Sequence, residues 1–171
     1  MDERIDALLT DLEGSHAALE RHVRRGELAE ELAAQSAERS LRERLRGALG
    51  RPVRLTAAGR EVVGTAAFLG AGILVVTGTE TTIVATDRIA WLRTSDRHHV
   101  IAEGGLERLG MASALRRLGA LREEVTVVLI EEGTTLRGHL QLVAADYLEI
   151  AGRIVPLGAI ALVIAAVDPF A

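Results

Sequence analysis

Two stretches of the chain carry the same spacing of apolar residues and glycines, 74 positions apart. In both stretches apolar residues alternate with polar ones, which is the period of a β-strand with one buried face. The matching positions are Val53, Leu55, Gly59, Val62, Gly64, Phe68, Leu74 and Val76 in the first stretch, and Val127, Leu129, Gly133, Leu136, Gly138, Leu142, Leu148 and Ile150 in the second. After a short length difference the match resumes, with Ile83, Val84 and Trp91 corresponding to Ile154, Val155 and Leu162. Repetition of this length indicates a duplicated structural unit, here one that is rich in short strands.

The residue types that the chain lacks exclude several kinds of chemistry. There is no Cys, and all 20 residues in the Lys and Arg class are Arg. Disulfides, cysteine-based zinc sites, thiol nucleophiles and lysine-based catalysis or phosphate binding are therefore excluded. The adjacent His98 and His99 lie near Asp96 on a polar connector, but two adjacent histidines without a third convergent ligand are typical of a solvated loop. We predict no catalytic residues, no metal, no cofactor and no enzymatic activity.

The apolar runs of the sequence are too short for a membrane helix. The longest run, from Ile154 to Val167, contains Pro156 and Gly158, and a membrane helix needs about 20 apolar residues. The first residues do not show the charged and then apolar pattern of a signal peptide. We therefore predict no membrane association and a cytoplasmic location.

The chain divides into four predicted segments. Residues 1–49 have apolar residues at three- and four-residue steps and are predicted to be an N-terminal helical segment, which either forms a coiled coil or packs in cis on the strands that follow. Residues 50–93 and 124–171 each contain five short predicted strands. Residues 94–123 are predicted to be a polar connector followed by a helix from about 106 to 122.

A helix followed by five short strands resembles the Sm-like fold. The resemblance rests on an apolar strand, a glycine turn, a glycine-bearing strand and an Asp before the third strand. These are Val127, Leu129, Gly133, Leu136, Gly138, Leu140 and Asp146-Tyr147-Leu148. It covers residues 106–164, and residues 40–93 more loosely, and other SH3-like barrels share the same strand rhythm. The resemblance implies an α+β, mostly β protein with two tandem five-stranded small barrels, each preceded by a helix, and a long N-terminal helix. The arrangement is also similar to a set of actinobacterial proteins, some labelled as transcriptional regulators, and no function follows from that label.

The RNA-binding residues that the Sm-like resemblance implies are mostly missing. The base-binding Asn would stand at Glu149, the second motif corresponds to Val155-Pro156-Leu157-Gly158, and Gly72 occupies the place of Asp146 in the first repeat. A net charge of −4 also disfavours phosphate binding. The possible RNA contacts are Arg51, Arg54, Arg60, Arg88, Arg93 and Asp146. Trp91 and Phe68 are predicted to lie in the core, because their repeat counterparts are leucines.

The leading functional prediction is a non-enzymatic assembly or interaction module. A small five-stranded unit leaves an open sheet edge, which a neighbouring unit can cover by adding a strand. The predicted edge and assembly residues are Ile83, Val84, Ile160, Leu162 and Ile164. The neighbour is either the other repeat or a second chain, so a homo-oligomer or a protein partner is expected. The alternatives are an RNA-binding protein that uses the arginines of the first repeat, and a ligand-sensing protein with a pocket between the repeats.

Overall fold

The computed structural model describes residues 40–95, 100, 105–131 and 134–171. The predicted N-terminal helix falls mainly on residues 1–39, and His98, His99 and Asp96 belong to the connector, so these predictions lie outside the described residues.

Ten strands occupy the positions that the alternating pattern predicts. The first five are β1 (Pro52–Ala57), β2 (Arg60–Leu69), β3 (Ile73–Thr77), β4 (Thr81–Ala85) and β5 (Ile89–Thr94). The second five are β6 (Glu124–Leu129), β7 (Thr135–Val143), β8 (Tyr147–Ile150), β9 (Arg153–Pro156) and β10 (Ile160–Ala165). Short 3₁₀ helices, Thr86–Arg88 and Leu157–Ala159, separate the fourth and fifth strand of each set.

The described residues contain two α-helices, and the second is shorter than the predicted helix from about 106 to 122. Helix α1 is Leu41–Arg46 and helix α2 is Met111–Ala120, preceded by the 3₁₀ helix Gly105–Arg108. The break between the last two falls at Gly110, which makes an isolated bridge with Ala71. None of the helices in the described part of the chain is long and apolar enough to cross a membrane.

The strands form one antiparallel sheet of ten strands, in the order β5-β1-β2-β3-β4-β10-β6-β7-β8-β9. The predicted pair of tandem five-stranded small barrels is therefore wrong. The 3₁₀ helix Thr86–Arg88 carries the chain from β4 to the far side of its set, where β5 pairs with β1. Strand β4 then pairs with β10 of the second set, so the sheet stays open instead of closing on itself.

Both sets of strands contribute to both hydrophobic clusters of the core. Along β3, β4 and β10 four consecutive residues are buried, and alternate side chains enter opposite clusters. The α1 cluster includes Leu45, Leu55, Leu74, Val84, Val128 and Leu162. The α2 cluster includes Val75, Ile83, Leu115, Leu118, Leu148 and Val163. The residues from Leu41 to Ala171 accordingly form one unit.

Candidate interaction surface

The residues predicted to form sheet edges meet inside the chain. Val84 lies opposite Leu162, and Ile83 lies opposite Val163. Ile164 lies opposite Thr82 of β4, while Ile160 lies opposite Leu129 of β6. These residues form the junction between the two strand sets, which we call the β4–β10 junction, and they are covered on both sides by neighbouring strands.

The outer strands of the sheet are β5 and β9. Among the described strands, β5 pairs only with β1 and β9 pairs only with β8. Each carries a large apolar side chain in contact with solvent, since Trp91 on β5 is 47% exposed and Ile154 on β9 is 71% exposed. An outer strand presents unpaired backbone N–H and C=O groups to any extended segment that lies beside it.

The prediction that Trp91 lies in the core is wrong. Its repeat counterpart Leu162 is fully buried, because β10 lies between β4 and β6. Trp91 occupies the same position on a strand with a neighbour on one side only, so half of its surface remains exposed. Phe68 is partly buried against the α2 cluster and stacks on Phe170, with 4.2 Å between the ring centroids.

The outer face of β5, β1 and β2 combines cationic and apolar side chains. Two rows cross it, in which Val63, Arg54 and Arg93 lie opposite one another, followed by Glu61, Thr56 and Trp91. A groove of ≈ 490 Å³ runs over this face; we call it the β5 groove. It is lined by Pro52, Val53, Arg54, Val63, Gly64, Thr65, Arg93, Thr94 and Ser95. The Cβ atoms of directly opposite residues on antiparallel strands lie about 5 Å apart, so Arg54 and Arg93 are close enough to contact the same ligand.

The two arginines of the β5 groove differ in their charge partners. Arg54 donates a hydrogen bond from Nε to the Glu61 carboxylate. This hydrogen bond lowers the pKa of the Glu61 carboxyl and raises the pKa of Arg54, so both groups are charged at neutral pH. Arg93 makes no ion pair with any residue that the structure describes. Among the residues that the structure describes, Arg93 therefore carries the uncompensated positive charge of the groove.

The remaining predicted RNA contacts are scattered. Arg51 immediately precedes β1, and Arg60 begins β2 and donates from Nη2 to the Thr135 hydroxyl at 3.2 Å. The Nε atom of Arg88 lies 3.3 Å from a carboxylate oxygen of Asp87 in the 3₁₀ helix before β5. Asp146 lies in the exposed turn between β7 and β8, where its carbonyl accepts a hydrogen bond from the Leu157 amide at 2.7 Å. Arg60 and Asp146 are thus at opposite ends of β7, and only Arg54 and Arg93 come together.

A second groove, of ≈ 480 Å³, lies at the junction between the strand sets. It is lined by Arg60, Glu61, Val62, Val63, Thr79, Glu80, Thr82, Leu162 and Ile164. Its charged groups have mixed sign, with one guanidinium and two carboxylates, and they do not define one class of ligand. Within residues 40–95, 100, 105–131 and 134–171, no group of three or more His, Asp or Glu side chains is placed to hold a metal ion.

Comparison with known proteins adds no functional assignment. No protein-family model matches the sequence, and no curated protein is significantly similar to it. The Sm-like resemblance of the sequence therefore remains a prediction.

The exposure of Val63 and Ile154 was not predicted from the sequence. A pattern in the sequence does indicate it, because Val62-Val63 and Ile154-Val155 are adjacent apolar pairs within strands. Adjacent residues of a strand point to opposite faces, so one member of each pair faces outward unless both faces are covered. Val62 and Val155 are buried, whereas Val63 and Ile154 are exposed.

Proposed function

We propose that this chain is a non-enzymatic interaction module that recruits extended polypeptide segments to its outer strands β5 and β9. The observation that carries the proposal is that both outer strands expose a large apolar side chain, Trp91 or Ile154, beside a backbone that pairs with another described strand on one side only. Backbone hydrogen bonds supply affinity when a strand is added to a sheet edge, and alternate side chains supply selectivity. The proposal includes the cytoplasmic location expected from the sequence.

The β4–β10 junction is an internal example of the proposed contact. There, two strands of different sets pair along Leu162 to Ala165, and the side chains of Ile83, Val84, Leu162 and Val163 are fully buried. Burial of such a side chain contributes about 1.5–3 kcal/mol. A segment that covers Trp91 or Ile154 would gain the same kind of stabilisation in addition to its hydrogen bonds.

RNA binding is the alternative function. It is favoured by one observation, that Arg54, Arg93 and Trp91 share an outer face, where an aromatic ring can stack on a base. Two observations weigh against it. Glu61 offsets the charge of Arg54, and the other predicted arginine contacts are dispersed over the molecule. An affinity for single-stranded RNA that falls steeply with salt and is lost in the Arg93→Glu variant would favour this alternative.

The proposed function can be tested with an array of peptides of about ten residues, long enough to cover one strand. The full chain is expected to bind a subset of extended peptides. That binding is expected to be lost in Trp91→Glu or in Ile154→Glu, according to the strand used. Leu121→Glu is the matched control, because Leu121 is 57% exposed and follows α2, not an outer strand.

Light scattering over a range of protein concentrations tests recruitment of a second copy in the same set of variants. The proposal is contradicted if the wild-type chain neither binds peptides nor self-associates, or if binding survives both Trp91→Glu and Ile154→Glu.

A further inference from the structure

The β4–β10 junction predicts which residues of a second copy would lie opposite β5 if the same strand pairing formed between two chains. In the junction Leu162 lies opposite Val84, Val163 opposite Ile83, and Ile164 opposite Thr82. The repeat gives each of these residues a counterpart on an outer strand. On β5 the counterparts are Trp91, Leu92 and Arg93; on β9 they are Val155, Ile154 and Arg153.

If β5 of one chain paired with β9 of a second copy in the register of the β4–β10 junction, Arg93 would lie directly opposite Arg153. Like charges at directly opposite positions of paired strands are destabilising. Strand β9 also contains Pro156, which has no N–H to donate. Charged residues and Pro on outer strands are the features by which proteins prevent sheet-to-sheet association. The pairing that joins the two sets inside the chain is therefore disfavoured between chains.

In contrast to a second copy of the chain, an acidic segment complements the positive charge of the β5 groove. Trp91 and Arg93 are two positions apart and lie on the same face of β5, the face that also carries Arg54 and Val63. A strand added to β5 would set every second side chain over this face. An apolar side chain would then lie beside Trp91 and an acidic one beside Arg93, whose charge is not compensated by any described residue.

We propose that β5 binds an extended segment of a partner protein that carries an apolar residue opposite Trp91 and an acidic residue opposite Arg93. In the register of the β4–β10 junction, a second copy of the chain is disfavoured at this strand by the Arg93–Arg153 contact. The inference rests on the proposed function and names the strand and the chemistry of the partner. Its selectivity comes from one charge-assisted contact, and its affinity comes from backbone pairing and burial of Trp91.

Trp91 provides the readout, because it is the only Trp of the chain. The probe is a synthetic peptide of about eight residues, the length of an ordinary strand. Threonine stands at every second position, and valine and glutamate alternate on the other face. Two control peptides carry glutamine or arginine in place of glutamate. Each peptide is titrated into the full wild-type chain while the Trp91 emission is recorded.

We expect the glutamate peptide to shift the Trp91 emission to shorter wavelength in a saturable way. The glutamine peptide is expected to bind roughly tenfold more weakly, as befits the loss of one charge-assisted hydrogen bond. Arg93→Glu should abolish binding of the glutamate peptide and create binding of the arginine peptide. Arg137→Glu is the control for the change in net charge, because Arg137 lies on β7 and is exposed; it should leave both titrations unchanged.

A second measurement tests the exclusion of another copy. Light scattering is expected to show that the wild-type chain does not self-associate, whereas Arg153→Glu, which places a carboxylate opposite Arg93, does. The inference is overturned if the glutamine peptide binds as tightly as the glutamate peptide. It is also overturned if wild-type chains pair and Trp91→Glu separates them. In both cases the proposed function survives, because β5 still recruits a strand. If no peptide binds and no self-association occurs, or if only single-stranded RNA shifts the emission, the proposed function fails as well.

Discussion

Arg46 shows what a buried charge requires. Its side chain is 5% exposed. It donates from Nε and Nη2 to the Glu107 carboxylate at 2.8 Å and from Nη1 to the Val100 carbonyl at 2.9 Å. Glu107 also accepts a hydrogen bond from Arg42 at 2.8 Å, so one carboxylate joins α1 to the 3₁₀ helix before α2. A buried guanidinium is stable only while its charge is compensated.

Glu107→Gln is therefore expected to lower the free energy of unfolding by about 3 kcal/mol, as in other buried ion pairs that lose one partner. Glu124→Gln is the matched control, because Glu124 pairs with Arg137 at 2.8 Å on an exposed surface. Its expected cost is less than about 1 kcal/mol. Urea denaturation monitored by circular dichroism measures both. Equal effects of the two substitutions would show that the Arg46 charge is compensated in another way.

Gly64 and Gly158 differ in the space that is available for a Cβ atom. A Cβ atom on Gly64 would lie 2.3 Å from the backbone oxygen of Thr77, whereas one on Gly158 would meet no heavy atom within 4 Å. Gly64→Ala should thus destabilise the protein by about 2 kcal/mol through overpacking between β2 and β3. Gly158→Ala should be neutral, or stabilising by less than about 1 kcal/mol. Thermal unfolding of the two variants makes the comparison, and a neutral Gly64→Ala would contradict the close packing.

The positions of the strands could be predicted from the sequence, but their neighbours in the sheet could not. Alternation of apolar and polar residues is a local property, so the strands from β1 to β10 were recognisable in the chain. Which strand lies beside β4 depends on a residue some 80 positions away, Leu162, and no local pattern encodes that contact. The burial of Trp91 was mispredicted for this reason: its counterpart Leu162 has the same local pattern and a different neighbour.

Exchanging these two repeat counterparts tests the difference between an outer and a central strand. Trp91→Leu should change the free energy of unfolding by less than about 1 kcal/mol, because a smaller apolar residue at a half-exposed position leaves no buried cavity. Leu162→Trp should cost about 3 kcal/mol, since Leu162 is fully buried in the α1 cluster and a larger ring overpacks it. Urea denaturation followed by circular dichroism suits both variants. Similar costs would mean that β5 is covered as completely as β10.

The two strand sets form one sheet with a shared core instead of two closed units. Each set has the order fifth, first, second, third and fourth strand, and the fourth strand of the first set meets the fifth of the second. Val128 and Leu162 of the second set lie in the α1 cluster, and Val75 and Ile83 of the first set lie in the α2 cluster.

The interaction surface could be predicted only in part, because it also depends on which strands are neighbours. Arg54 and Arg93 were recognisable as basic residues of one repeat, but only strand pairing brings them together and separates them from Arg60 and Arg88.

A shared core makes the two strand sets unfold together. The single Trp of the chain lies in the first set and the single Tyr, Tyr147, lies in the second, so each set has its own fluorescent reporter. Leu148→Ala removes a fully buried side chain of the second set and is expected to lower the free energy of unfolding by about 3 kcal/mol. Because the cores are joined, the Trp91 transition in urea should move to lower concentration by the same amount as the Tyr147 transition and the circular dichroism signal. A Trp91 transition that stays in place while the other two move would show that the β4–β10 junction is too weak to couple the sets. In that case the internal junction would lose its value as an example of how an added strand is held at β5.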